Sequence, residues 1–400
     1  MFSNSLPYIR VGINYYKTVH VPLISGDYMV SLKPWSLDFI KQDHGRDVLA
    51  QIPKYDGFCV IPDHLNYRLV IGNFYNKYLP FQHKPIAGDC GTVLKFLEHI
   101  FQDQLQLGLD YIKLLIEQPT QKLPILCLVS KERNTGKTTF LMFLKSIFGG
   151  NMTINTNEDF RTNFNSEWSS KLIIGIDETF LDKKEDSERI KNLATATVYK
   201  AEAKGFDRQE IEFFGKFILC SNNEDNFIVI DQGETRYWVI RVTPIAQEQH
   251  KFLLRLEGEI PYFIDFISKR SMYTSKESRL WFNSNLLQTE ALLKVIRRSR
   301  NRLENEISSL LTTIMENKEV PEICFCINDL QDWLLKKGNR GIESFLIKKI
   351  LQEEWKLKPC SNSLSYTRFG FLPDGSIGED TSKGRYYKVN QEFILKLEAY

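Results

Sequence analysis

The 400-residue sequence has no apolar run of membrane-spanning length. Stretches such as Leu123–Val129 and Leu172–Ile176 fall far short of the ~18 residues a spanning helix needs. Met1–Tyr8 lacks a basic start followed by an apolar stretch, so no secretory signal is expected and no membrane partner. Neither sign of charge is in excess: 52 Lys+Arg against 50 Asp+Glu leave a net +2, which excludes a global basic footprint of the histone kind. Any nucleic-acid contact must therefore be local. CxxC pairs are absent, and the cysteine count, seven, is odd, which argues against a disulfide framework and for thiols in a reducing cytoplasm. Six scattered histidines show no metal-ligand spacing. Repeats and low-complexity tracts are also missing. What is present is 42% hydrophobic, 12% aromatic and 26% charged, the profile of a folded chain. At about 150 residues per domain, two or three domains are expected.

Residues 1–90 read as an N-terminal accessory region, rich in Tyr, Pro and Gly, with short strands around Phe58–Pro62 and Tyr67–Ile71. From Thr92 to Glu117 the apolar positions follow helical spacing, with a break expected near Gly108, and Pro119 ends the segment. Leu123–Val129, Lys171–Ile176 and Lys216–Cys220 are short continuous apolar runs, the pattern of parallel strands buried on both faces. A helical stretch Lys137–Phe148, closed by Gly149-Gly150, lies between the first two. The fold class is therefore α/β, with a parallel-sheet core within 91–275. A helical linker at 276–317 and a small separate domain at 318–400 follow.

The strongest chemical signal is Ser130-Lys131-Glu132-Arg133-Asn134-Thr135-Gly136-Lys137-Thr138-Thr139, which follows a buried strand and opens a helix. That is the setting of a phosphate-binding loop: backbone N–H groups and the helix N-terminus face the nucleotide phosphates. Lys131, Asn134, Thr135, Gly136, Lys137, Thr138 and Thr139 are the nucleotide-binding candidates. Gly136 permits close approach, Lys137 reaches the β- and γ-phosphates, and Thr138 offers its hydroxyl to Mg²⁺. The usual first glycine is replaced by Lys131, so Gly-Lys-Thr alone is also compatible with a chance helix start. A second signal is the apolar strand Leu172–Ile176 ending in Asp177-Glu178, 40 residues after Lys137. Its first carboxylate suits the Mg²⁺ shell and its second a general base for the attacking water. The third is Phe217–Cys220 running into Ser221-Asn222-Asn223, 45 residues after Asp177. Asn222, at the end of a strand between the other two, can bond both the γ-phosphate and the attacking water. Asn223 reads as a turn residue.

This ordered series resembles the superfamily 3 helicases, and more closely the primase-helicase family proteins of phages and bacterial mobile elements, in which a Ser-Lys-Glu loop start replaces the glycine. The resemblance covers about residues 90–245. It implies a P-loop, AAA+-like ATPase core with ATP and Mg²⁺ as cofactors. Lys137, Asp177, Glu178 and Asn222 would be catalytic, and Thr138 and Asp177 the metal ligands. An arginine finger would act on the neighbouring subunit's site. Arg236 in Gly233–Trp238 is the candidate and Arg241 the rival, which is also readable as a structural strand residue. The family's channel-lining hairpin would fall at Lys200–Arg208, where Lys204 and Phe206 pair a cation with a ring, as a single strand requires. An ordinary surface hairpin fits the same residues.

The implied activity is ATP-dependent DNA unwinding, 3′→5′ in polarity, by a ring, expected as a hexamer. The setting would be replication of a phage, plasmid or integrated element. Partners would be single-stranded DNA at a fork, further copies of the chain, and a separate primase or polymerase, since no primase signature is present. The alternatives are an ATP-switched DNA-binding initiator or loader, a nucleotide-dependent defence protein without unwinding, and a small-molecule kinase, against which Asn222 and Arg236 argue. Arg297–Arg302 reads as a solvated helix face, because Glu304 and Glu306 follow it. In 318–400 a helix over Ile327–Lys337, a turn at Gly338–Gly341, a helix over Ile342–Glu354 and strands at Tyr366–Leu372 and Arg385–Val389 around a polar loop, Pro373–Gly384, give a winged-helix-like plan. It suits phosphate contact through Lys348, Lys349, Lys356, Arg368, Lys383 and Arg385, or equally a protein contact.

Overall fold

In the computed structural model, all residues are described except 1–5, 23–27, 163–164, 166, 182, 202–208, 232, 246–250, 339–340, 373–375 and 399–400. The core elements are α1 (Gly91–Phe101), α2 (Leu105–Glu117), β1 (Ile125–Val129), α3 (Lys137–Phe148), β2 (Met152–Asn155), β3 (Ile173–Ile176), α4 (Lys184–Thr195), β4 (Lys216–Ser221), β5 (Tyr237–Arg241), α5 (Phe252–Lys269) and α6 (Glu290–Lys318). The five strands form one sheet in the order β5-β1-β4-β3-β2. Every pairing in it is parallel.

The continuous apolar runs follow from this layering. Strand side chains alternate between faces, so a strand covered on both sides needs apolar residues at every position. Leu126, Leu128, Ile218, Cys220, Trp238 and Ile240 pack on one face with α1, α2, α3 and α5. Ile125, Cys127, Val129, Phe217, Leu219 and Val239 pack on the other with α4 and the start of α6. Gly136 at φ 89 caps α3, and Gly149 at φ 54 ends it.

Four local expectations are corrected. The break in the first helical segment falls at Gln102–Gln104, where Gln102 has φ 52, and not at Gly108. Gly108 sits inside α2 because a Cβ there would lie 2.4 Å from the Phe101 ring. In the expected helical linker 276–317 the long helix α6 starts only at Glu290. The second C-terminal helix starts later, at Ser344, and passes into a wider π turn at Ile350–Glu354. Much of the expected polar loop Pro373–Gly384 is a strand, Ile377–Gly384, paired antiparallel with Leu364–Phe371. The strand Ile377–Gly384 has no fully buried position, so it carries no apolar alternation and its composition resembled a loop.

Before the core, Tyr8–Val11 lies inside a four-stranded sheet with Asn14–Pro22, Tyr28–Trp35 and Lys54–Tyr55. The chain then docks on the core: Asn151 donates to the Leu79 carbonyl and accepts from its N–H, both at 2.9 Å. After the core, α6 shares an apolar cluster with Phe325, Leu330, Trp333, Ile347 and Val389. There Glu322–Phe325 pairs with Tyr387–Asn390, enclosing helices Ile327–Lys336 and Ser344–Lys349 and the hairpin. No described helix is long and apolar enough to cross a membrane.

Candidate functional site

In a parallel sheet all strand C-termini lie at one edge, so the residues following β1, β3 and β4 meet there. They are laced together by the Ser130 N–H on the Ser221 carbonyl (3.2 Å), the Thr179 N–H on the Cys220 carbonyl (2.6 Å) and the Ser221 hydroxyl on the Thr179 carbonyl (2.7 Å). β4 lies between β1 and β3, as the reading of Asn222 required. A cavity of about 240 Å³ opens at this edge, lined by Arg133–Thr139, Asp177, Glu178 and Cys220–Asn222.

The loop after β1 turns through Asn134 at φ 55 and Gly136 at φ 89. A Cβ on Gly136 would stand 3.2 Å from both Ile245 and Phe96. Lys131 is exposed and has no positive φ, so its side chain meets no conflict where a glycine is usual. The buried Lys137 ammonium donates to the Ser130 hydroxyl, to Thr135 Oγ1 at 2.9 Å and to Asn222 Oδ1 at 3.0 Å. Burial lowers its pKa from the usual lysine value, against opposing pulls from Cys220, Asp177, Glu132 and Glu224. Burial also pushes the Cys220 thiol beneath the loop well up, helped by Asp177.

Thr138 Oγ1 donates to Asp177 Oδ2 at 2.9 Å. A hydroxyl and a carboxylate at one cavity wall are hard oxygen donors, and they fit Mg²⁺. The other Asp177 oxygen accepts the Glu178 N–H at 3.0 Å. Glu178 is exposed on the cavity and held at φ 50, a left-handed conformation costly for a residue with a Cβ. Its support is Asn157, whose amide donates to the Glu178 carbonyl (3.1 Å) and accepts the Phe180 N–H (2.9 Å).

Lys137, Thr138, Asp177, Glu178 and Asn222 are thus brought together, with Asn134, Thr135, Gly136 and Thr139 around them. Lys131 flanks the loop outside the cavity lining. The two arginines lie at opposite sheet edges. Arg241 ends β5 beside the cavity, paired at 2.7 Å with the buried Glu224, which also takes Lys294 at 2.9 Å. Burial raises the Glu224 pKa, but Lys294 and Arg241 outweigh it and hold the carboxyl below the usual range. Arg236 precedes β5, and its carbonyl accepts the Ile125 N–H at the start of β1. At ~3.3 Å per strand residue it is roughly 15–20 Å from its own cavity. The hairpin arms Val198–Ala201 and Gln209–Glu212 pair antiparallel, and Lys204 and Phe206 lie outside the described residues. In the C-terminal unit Lys348, Lys356, Lys383 and Arg385 are exposed, whereas Arg368 is drawn into an ion pair with Asp329 at 2.6 Å.

Sequence reasoning missed Ser130 as a partner of Lys137, Asn157 as the support of Glu178, Glu224, and His99, which bonds the Thr135 carbonyl at 3.0 Å. Only Ser130 had a signal, its place at the end of β1. The others depend on contacts between remote segments.

A family of unknown function (DUF5906) matches residues 128–236, a span that holds the loop, the carboxylate pair and Asn222. Comparison with curated proteins finds no match. Among solved structures, the apo C-terminal region of NrS-1 (305–718) superposes with a TM-score of 0.56 and 16% identity, over 86% of this chain and 84% of that one. Its A form gives 0.55 and 16%, over 88% and 84%. These likenesses show a shared fold. JCV helicase superposes at 0.31 with 14% identity over 57% and 64%, too loosely to argue from.

Proposed function

We propose that the chain is an ATP-dependent DNA helicase of the superfamily 3 type. It would assemble as a ring and travel along single-stranded DNA in replication of a phage, plasmid or integrated element. One observation carries this reading: the Gly136-Lys137 loop, a hydroxyl–carboxylate pair, a second carboxylate and an amide converge on one cavity from three adjacent strand ends.

In this reading the loop N–H groups and Lys137 grip the β- and γ-phosphates of ATP. Thr138 and Asp177 hold Mg²⁺, which when bound screens the phosphate oxygens. Glu178, exposed on the cavity, takes the proton of the attacking water. Asn222 contacts the γ-phosphate and reports its loss through the bond it shares with Lys137. Arg236, at the far edge of the sheet, reaches the site of the next subunit and completes it. Lys204 and Phe206 grip DNA phosphate and base, so the hairpins move along one strand, 3′→5′, as hydrolysis proceeds around the ring. The C-terminal unit acts as a winged-helix-like domain using its exposed lysines.

The test is ATP hydrolysis with and without single-stranded DNA, for wild type and Lys137→Ala. DNA-stimulated turnover that the substitution abolishes is expected. Turnover indifferent to DNA would replace the motor with an ATP-switched initiator or a defence protein, and absence of turnover in assembled wild type would overturn the reading.

A further inference from the structure

The geometry points to Glu234 as the residue that positions Arg236 for the neighbouring subunit, an inference that rests on the proposed role of Arg236. The Glu234 side chain is only 8% exposed, and its hydrogen bonds go to the turn that carries the arginine. One carboxylate oxygen accepts the N–H groups of Thr235 (2.9 Å) and Arg236 (3.0 Å). The other accepts Arg236 Nη1 at 2.7 Å. Backbone and side chain of Arg236 are thereby fixed by one group.

That group is itself anchored. Lys191 of α4 stands 3.8 Å from Glu234 and bonds Asp231 at 3.2 Å and Glu188 at 2.5 Å. Lys184 pairs with Asp231 and lies 3.8 Å from Glu188. Three cations, Lys184, Lys191 and Arg236, face three carboxylates, Glu188, Asp231 and Glu234. The lattice is neutral, and it ties the guanidinium through Nη1 alone: among the described residues, Arg236 Nε is buried without a partner, while the side chain as a whole is 26% exposed. An arginine tied by one nitrogen, with the charge behind it balanced, can meet a γ-phosphate without first breaking its own ion pair. Arg241 lacks this arrangement, because it lies at the cavity edge on Glu224.

Glu234→Gln keeps an oxygen for the backbone N–H groups but removes the charge. The effect must be read in trans, so two chains are mixed. The recipient carries Arg236→Ala and an intact site. The donor carries Lys137→Ala, silencing its own site, with or without Glu234→Gln. The donor with Glu234 should restore ATP turnover to the recipient. The Glu234→Gln donor should restore at least fivefold less, through kcat, with KM for ATP within twofold, and Glu234→Asp should recover part of the loss. Gel filtration of each donor and ATP binding by the Glu234→Gln single variant, whose own site is remote from the change, verify folding. Equal restoration by both donors would overturn the inference while leaving Arg236 in place. Failure of the donor with intact Glu234 to restore turnover would overturn the Arg236 reading, and the inference with it.

Discussion

Lys137 is a buried ammonium whose bonds in the nucleotide-free chain go to a hydroxyl pair and an amide. Lys137→Met should therefore stabilise the nucleotide-free protein while removing its response to ATP. The Lys137 ammonium bonds only neutral acceptors, so an apolar residue of similar volume removes a desolvation penalty of several kcal/mol without stranding a buried carboxylate. Against this stand the lost acceptor contacts. Ser130 still donates to the Glu132 carbonyl at 2.7 Å, and Asn222 is exposed and rehydrates. The Ser130 and Thr135 hydroxyls, 0% and 2% exposed, each lose a donor in a dry setting, which costs about 1 kcal/mol each. The net is a gain of about 1–2 kcal/mol, or roughly 2–8 °C for a cooperative unit of about 150–250 residues. Wild type with ATP and Mg²⁺ at about 100 Kd should gain ~2.7 kcal/mol, and the variant nothing. The pH dependence has a definite sign. Burial lowers the Lys137 pKa in the folded state, so between that value and the unfolded ~10.4 the unfolded chain binds more protons. Wild-type stability gains from this group as pH rises through that window, and the variant lacks the gain. Thermal melts at pH 7 and 9.5, with and without nucleotide, check this. A nucleotide-free variant melting 3 °C or more below wild type, or an ATP shift equal to that of wild type, would refute the reasoning.

Glu178→Gln should lower kcat for ATP about 10²–10⁴-fold, the usual contribution of a general base, with ATP affinity changed less than threefold in a fluorescent-nucleotide titration. Lys204→Ala and Phe206→Ala should each weaken single-stranded DNA binding by about 1 kcal/mol or more. Anisotropy should show the salt dependence falling for the lysine change and staying for the ring change, as counterion release requires. Gly108→Ala should destabilise the fold by about 1–2 kcal/mol, since the clash with Phe101 exceeds the roughly 1 kcal/mol of helix propensity regained. A higher urea midpoint for this variant would mean that the α1–α2 contact is loosely packed.

The parallel sheet was legible in the sequence because burial on both faces leaves a local mark: Ile125–Val129 and Lys216–Ser221 are buried at every position. The loop at Lys137, the carboxylates at Asp177 and Glu178 and the amide at Asn222 were legible because each ends such a strand, and strand C-termini of one parallel sheet share an edge. Gly108 and the Ile377–Gly384 strand were misread because close approach to Phe101, in one case, and a strand without a fully buried position, in the other, leave no periodicity. The sequence by itself determined the chemistry: residue types carried on short apolar strands, their order and spacing. Only the tertiary structure decided which groups stand behind them. Asn157 under Glu178, His99 behind the loop, and the lattice from Lys184 to Arg236 join residues distant in the chain. An ion pair or a carbonyl contact between remote segments imprints no pattern on either one.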